Sequence, residues 1–428
     1  MMKSRQSVQV GSRSSLSGRL SILAVILTLS ILSISMAEGQ TFTVLHQFTG
    51  GGDGAGPAAG VTIDQGGNLY GTSAGESING AGNVYELKRL ANGGYTLVVL
   101  HDFQPTLGDG GHPLGRVVFG PDGRLYGMTS EGANNGCLGG FGCGMVFALQ
   151  PPATFCSAIS CAWHETILHI FTGNADGGAP GYTEPVFDRN GNLYGTTQYG
   201  GTGPTPQGTV FMLQPSGGGW AETVLFNFQC PGSPDSAVLL DNAGNLYGTT
   251  ADTCDDDHDQ GSVYQLTKVG NTWSANFLRI FQGGSDGSGP TAALVSDSSG
   301  NLYGSTTGGG LGRSGTLFEF SRAGNGWNYS QIYGNFIGSG GPWAALVMDS
   351  AGNLYGTTSR DGVYQHGSVF KLSPVAGGWS FSTLHDFTGG DDGSAIYGGV
   401  TLDSAGNLYG TASEGGAFNS GVVWKIVP

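Results

Sequence analysis

The chain is short of positive charge: its 428 residues include 16 Lys and Arg against 31 Asp and Glu. Holding a phosphate backbone requires a basic face, so nucleic acid is not an expected partner. Helical periodicity is missing as well. No stretch beyond the first 37 residues keeps apolar residues on one helical face for three turns, which argues against a helical fold. Paired CxxC spacings are absent, and with them the common zinc modules. Nucleophile elbows, HExxH and phosphate loops are also missing; Gly308–Gly312 (GGGLG) is not a dinucleotide loop, because no helix follows it. The sequence therefore announces no reaction.

What is present begins with a leader. Lys3, Arg5, Arg13 and Arg19 precede the apolar run Ser21–Ala37, in which Ser35 and Ala37 set small residues before a plausible cut. Residues 1–37 read as a secretory signal, with a retained membrane anchor as the alternative. Its removal leaves 12 basic against 31 acidic residues and a formal charge of -19. Such a balance suits an exported protein or one that meets cations. Six cysteines in an exported chain read as disulfides: Cys137 with Cys143 and Cys156 with Cys161 are close in sequence, which leaves Cys230 with Cys254.

Residues 38–428 read as a single domain built on one repeated string, DxxGNLYGTT. Near-copies centre on Tyr70, Tyr126, Tyr194, Tyr247, Tyr303, Tyr355 and Tyr409, between 52 and 68 residues apart. A period of that size marks a repeat architecture. Each repeat holds four strand-length runs, clearest in the last: 379–387 (WSFSTLHDF), 399–403 (GVTLD), 407–411 (NLYGT) and 421–426 (GVVWKI). Gly, 81 residues in all, recurs at fixed places beside aromatic and β-branched residues. This predicts an all-β, seven-bladed propeller of four-stranded antiparallel blades, an array that closes on itself to protect its edges; an open β-solenoid is the alternative. The GVTLD-type run is placed innermost because it carries Gly or Ala where seven strands crowd the axis, and the LHDF-type run outermost. The chain begins 41–48 (TFTVLHQF) where other outer strands begin and stops where one would follow. The N-terminal strand is thus expected to complete the last blade.

The LHxF, DGxxP, DxxGNLYGTT and GxVFxL segments resemble the GloVer tandem repeat, and the resemblance covers residues 41–427. It implies an exported bacterial protein and no settled activity. Many members of that family carry a C-terminal anchor, and Pro428 departs from that habit.

Features copied into every blade are spread round the ring and cannot all face one ligand. The GNLYG tyrosines are therefore read as packing between blades. His46, His101, His169 and His385 of LHxF are read as hydrogen-bonded or half-exposed strand residues that do not converge on a metal. Asp53, Asp109, Asp176, Asp235, Asp286 and Asp392 of the glycine-rich loops are read as turn formers.

A single site belongs where the symmetry fails. Gly60, Ala237, Ala293, Ala345 and Gly399 occupy one position of the inner run, and Arg116 and Glu184 stand there in repeats two and three. They are expected either to pair across two blades or to touch a ligand in the central channel. The second irregularity is 252–259 (DTCDDDHD). Its Asp252, Asp255, Asp257 and Asp259 make either a solvated acidic loop or a calcium-type site. The functional expectation is a monomeric binding or scaffolding module for an extracellular polysaccharide or protein. The competing expectation is a propeller hydrolase or lyase using channel carboxylates and a bound cation, with Glu131, Glu184 and Glu414 as the acids able to reach one face.

Overall fold

The computed structural model describes residue 40 to residue 428, apart from 76, 105–107, 135, 138–139, 153–162, 230–231, 252–259 and 325. Seven four-stranded antiparallel sheets follow one another along the chain. Blade one runs outward from Thr62–Ile63 through Leu69–Ser73 and Asn83–Arg89 to Tyr95–Asp102. The innermost strands of blades two to seven are Val118–Phe119, Val186–Phe187, Leu239–Leu240, Val295–Ser296, Val347–Met348 and Thr401–Leu402. Only two residues of each pair with the next strand, and the position that carries Gly or Ala in most repeats lies two residues before that pair.

The ring closes as the sequence predicts. Thr41–Gln47 pairs antiparallel with Val422–Val427, placing Phe42 opposite Ile426 and Val44 opposite Trp424. Blade seven is therefore built from both ends of the chain. Phe48 then packs with Val61, Tyr85 and Tyr409, joining blade seven to blade one.

The repeated string does three jobs at once. Its Tyr is buried between blades in all seven copies: Tyr70 stands edge-on to Phe119 of blade two at 5.1 Å, and Tyr126 to Phe187 of blade three at 4.8 Å. The hydroxyl of each such Tyr donates to the turn aspartate that opens its string, as in Tyr247 to Asp241 at 3.0 Å and Tyr409 to Asp403 at 3.1 Å. That satisfies the one polar atom of a buried ring. The following Gly lies under an aromatic of the next strand: a Cβ at Gly71 would meet the Tyr85 hydroxyl at 2.4 Å and its ring at 2.5 Å. In blade two the turn is altered, yet Asp122 still reaches Tyr126 at 2.9 Å, with Arg124 in place of the usual Asn.

The first Thr of the string reaches into the next blade. Thr72, Thr196, Thr249, Thr357 and Thr411 donate to the carbonyls of Gly115, Ser236, Ala292, Gly398 and Ala59. Each of these carbonyls lies one residue before an axial position. The string that makes the fold thus also seats the residues round the axis.

Candidate functional site

The position singled out in the sequence lines one cavity of about 310 Å³ at the axis, with all seven blades contributing: Gly60, Arg116, Glu184, Ala237, Ala293, Ala345 and Gly399. The small residues are required by crowding. A Cβ at Gly60 would lie 2.5 Å from the carbonyl oxygen of Gly399 on the neighbouring blade. Arg116 and Glu184 are the two large side chains of this ring, and they meet. Arg116 Nε donates to Glu184 Oε2 at 2.5 Å and Nη2 to Oε1 at 2.9 Å. Nη1 donates across the axis to Thr401 Oγ1 at 3.2 Å, on blade seven. That reach passes blade one, where Gly60 offers no side chain to block it.

The pair is a bidentate fork, the stronger geometry for guanidinium and carboxylate. Glu184 holds the Arg116 guanidinium still more firmly protonated than usual, its charge outweighing the effect of burial. Both side chains stay partly wet, at 30% and 27% exposed. They also border a second cavity on the opposite face, lined by Phe187, Asp188, Asn190, Leu240 and Asn242 among others. The ion pair therefore sits where the two axial cavities meet.

Two residues before each axial position stands a second ring, at the mouth of the first cavity: Ala58, Leu114, Tyr182, Asp235, Thr291, Trp343 and Tyr397. Sequence reasoning did not single out its three aromatics. Tyr182 is 52% exposed and Trp343 42%, and Trp343 meets Tyr397 at right angles with centroids 6.0 Å apart. Aligning the repeats on the axial position would have found them; an extra residue in the third repeat, between Pro180 and Glu184, hides the register of Tyr182. Asp235, grouped from sequence with the loop aspartates, also lines this mouth, where Ser233 Oγ donates to it at 3.1 Å.

The other loop aspartates behave as turn formers with an added partner. His46, His101 and His385 place Nε2 at 3.2, 3.0 and 3.1 Å from Asp53, Asp109 and Asp392. His169 lies 3.5 Å from Asp176. Burial lowers the basicity of His46, His169 and His385 despite these carboxylates. His101 goes the other way: burial is outweighed by its hydrogen bond to Asp109 and by the additional charge of Glu165. Burial pushes the carboxyl groups of Glu165 and of Glu222 up to about 7. Both stand on outermost strands, 164–170 and 219–227, far along the sheet from the axis.

The carboxylates considered for hydrolysis do not gather. Glu184 is in the axial cavity and occupied by Arg116; Glu131 and Glu414 are not among the cavity's lining residues. Glu131 instead lies 3.6 Å from His112, and Glu414 is 3.9 Å from Arg360. Cys137 and Cys143 form the expected disulfide, with Cα atoms 5.0 Å apart. Cys156, Cys161, Cys230 and Cys254 lie outside the described residues, as do Asp252, Asp255, Asp257 and Asp259. Among the described residues no helix is long and apolar enough to cross a membrane.

A repeated propeller unit with this axial ring defines a tandem-repeat β-propeller. The chain belongs to the Gloeobacter/Verrucomicrobia repeat family, whose model matches residues 30–162, 138–328 and 234–428. No curated protein matches it. Among solved structures it is similar to a candidate 6-phosphogluconolactonase from Bacteroides uniformis, at 15% identity and a TM-score of 0.51, over 81% of this chain and 88% of that one. It also aligns with the extracellular domain of a candidate hybrid two-component system from B. thetaiotaomicron, at 10% identity and a TM-score of 0.49, over 90% of this chain and 39% of the other. The likeness to the first of these, at 15% identity, concerns the fold alone.

Proposed function

We propose that the protein is an exported, monomeric propeller that binds an extracellular polysaccharide at the mouth of its axial cavity. The observation that carries this reading is the mouth ring, where Tyr182, Trp343 and Tyr397 stand over the Arg116–Glu184 fork with Asp235 beside them. Sugar rings present apolar C–H faces and hydroxyl edges. Partly exposed aromatic rings accept the faces, and a charged pair with spare lone pairs and N–H groups accepts the edges. The leader at residues 1–37 and the Cys137–Cys143 bridge support an oxidising destination.

Binding is favoured over hydrolysis by the state of the axial acid. A glycosidase needs two available carboxyl groups flanking one bond, and the acid in this cavity's inner ring is clamped by Arg116. The test is a broad glycan array probed with the mature protein and with Trp343→Ala and Arg116→Ala variants. Selective binding to a saccharide class, lost in Trp343→Ala, is the expected result. An array without signal, or a signal indifferent to both substitutions, overturns the reading in favour of a protein partner.

A further inference from the structure

The outer strands meet their neighbours through two recurring positions: the LHxF histidine position of one blade and, on the next blade, the residue two after the Trp position. In several seams this contact is a stack. His385 lies on Phe42 at 3.8 Å and 6°, Tyr333 on Phe381 at 4.3 Å and 8°, and the Arg279 guanidinium 3.7 Å from the centre of the Tyr329 ring. The seam between blades one and two is built otherwise. There His101 faces Glu165, and Asp109 of the intervening loop joins them.

We propose that His101, Asp109 and Glu165 form a binding site for a zinc-type divalent cation that ties the outer strand of blade two to blade one. His101 Nε2 is 3.0 Å from Asp109 Oδ2 and 3.6 Å from Glu165 Oε1, and the three ligand atoms all lie within 4.8 Å of one another. Tetrahedral zinc with bonds of about 2.0–2.2 Å sets its ligand atoms about 3.3–3.6 Å apart. The first two separations bracket that span. The third closes by a small rotation of either carboxylate.

The hydrogen bonds present do not complete the cluster. His101 Nε2 carries at most one proton, and Asp109 is its nearer acceptor. Glu165 Oε1 is buried, and His101 Nε2 stands 3.6 Å from it, beyond a good hydrogen bond. Two carboxyl groups side by side, each side chain about 85% shielded, repel unless a proton or a cation lies between them. A cation accepts one lone pair from each of the three atoms at once and removes that repulsion. Asp109 is already oriented for it: Oδ2 accepts from Gln104 N at 3.0 Å and Oδ1 from its own loop's Gly110 N at 2.6 Å. The remaining coordination position is left to water.

The seam between blades two and three supplies an internal control. It repeats the residue types as His169, Asp176 and Glu222, but His169 and Asp176 stand 3.5 Å apart and the three do not draw together as the first set does. The closer triad is the one assigned to the metal.

The experiment is calorimetric titration of ZnCl₂ into the untagged, chelator-treated protein, followed by thermal melting with and without zinc. The parent is expected to bind one zinc and to melt a few degrees higher with it, because a ligand held only by the folded state stabilises that state. Glu165→Gln keeps shape and volume while removing a charged ligand. It is expected to weaken binding by about 100-fold, whereas Glu222→Gln leaves it unchanged. Cobalt in place of zinc is expected to give the intense visible bands of a four-coordinate site in the parent and not in Glu165→Gln. The proposal is overturned if the parent takes up no zinc, which would mean a proton shared by Glu165 and Asp109. It is equally overturned if zinc binds Glu165→Gln and His101→Gln as tightly as the parent.

Discussion

The axis and the rim of this propeller handle asymmetry in opposite ways. At the axis, five of the seven equivalent positions carry Gly or Ala, and the two that do not are complementary, Arg116 answering Glu184. At the rim the equivalent seam positions are large, and their chemistry changes from stacked rings to a cation over a ring to His with Glu. Crowding explains the contrast. Seven strands converge at the centre, so a departure from small side chains survives only if it makes its own partner. Outer strands diverge and leave room for several solutions. A charged residue at the axis therefore comes as half of a pair, and a charged residue at the rim does not have to.

The sharpest way to break this contrast is to open the ring. Deleting Thr41–Gln47 strips Val422–Val427 of its partner and bares Trp424, which is fully buried in the intact protein. The expected outcome is loss of the single cooperative melting transition, seen by calorimetry, because a long bared strand edge has no other partner. A shortened chain that melts like its parent would mean that the closing strand contributes nothing to the ring.

Next in size is the mouth. Trp343→Ala is expected to weaken saccharide binding by about 2 kcal/mol with little change in melting temperature, since the ring is 42% exposed. An equal loss of stability would move Trp343 from the ligand to the fold.

The axial pair gives a smaller effect. Arg116→Ala leaves Glu184 without its partner; the pair is about 30% exposed, so the expected loss is about 1–2 kcal/mol in denaturant unfolding. Glu184→Ala combined with Arg116→Ala should recover part of it. If the double variant is as unstable as the sum of the single ones, the two residues are not coupled.

The smallest effect belongs to the rim and depends on pH. Glu222 has its carboxyl pushed up to about 7 by burial and then by the charge of Asp176. A raised acid stabilises the fold below its unfolded value, about 4.3, and loses that contribution as pH climbs through about 7. Glu222→Gln should thus match the parent at pH 4 and exceed it at pH 8, by about 1 kcal/mol once solvent screening is allowed for. Parallel stability curves for the two proteins would show that Glu222 is solvated in both states.

Architecture was legible because it is written seven times. Tyr70, Tyr126 and their counterparts gave the period, and the position of Thr41–Gln47 ahead of the first string gave the closure. Arg116 and Glu184 were legible as the two exceptions to a small-residue rule, although only the folded ring shows them joined as a fork. The mouth aromatics were not, since Tyr182, Trp343 and Tyr397 stand in loops where neighbouring repeats have Ala, Leu, Asp and Thr and no rule is visible to break. The cluster at His101 escaped for a different reason. Weighing the four LHxF histidines together showed that they do not meet one another, and Glu165 enters from the next blade's outer strand, a contact that no local pattern encodes.

The closing strand also fixes an order of events. Gln47 Oε1 accepts a hydrogen bond from the backbone of Ala417, 370 residues further on. A chain made from its N-terminus must therefore hold its first strand in waiting until its last repeat exists, and a contact of that span is among the slowest to form. Six blades can take shape from their own sequence as they appear. The seventh is a clasp that shuts only once Val422–Val427 has been made, so a product truncated before that strand stays open.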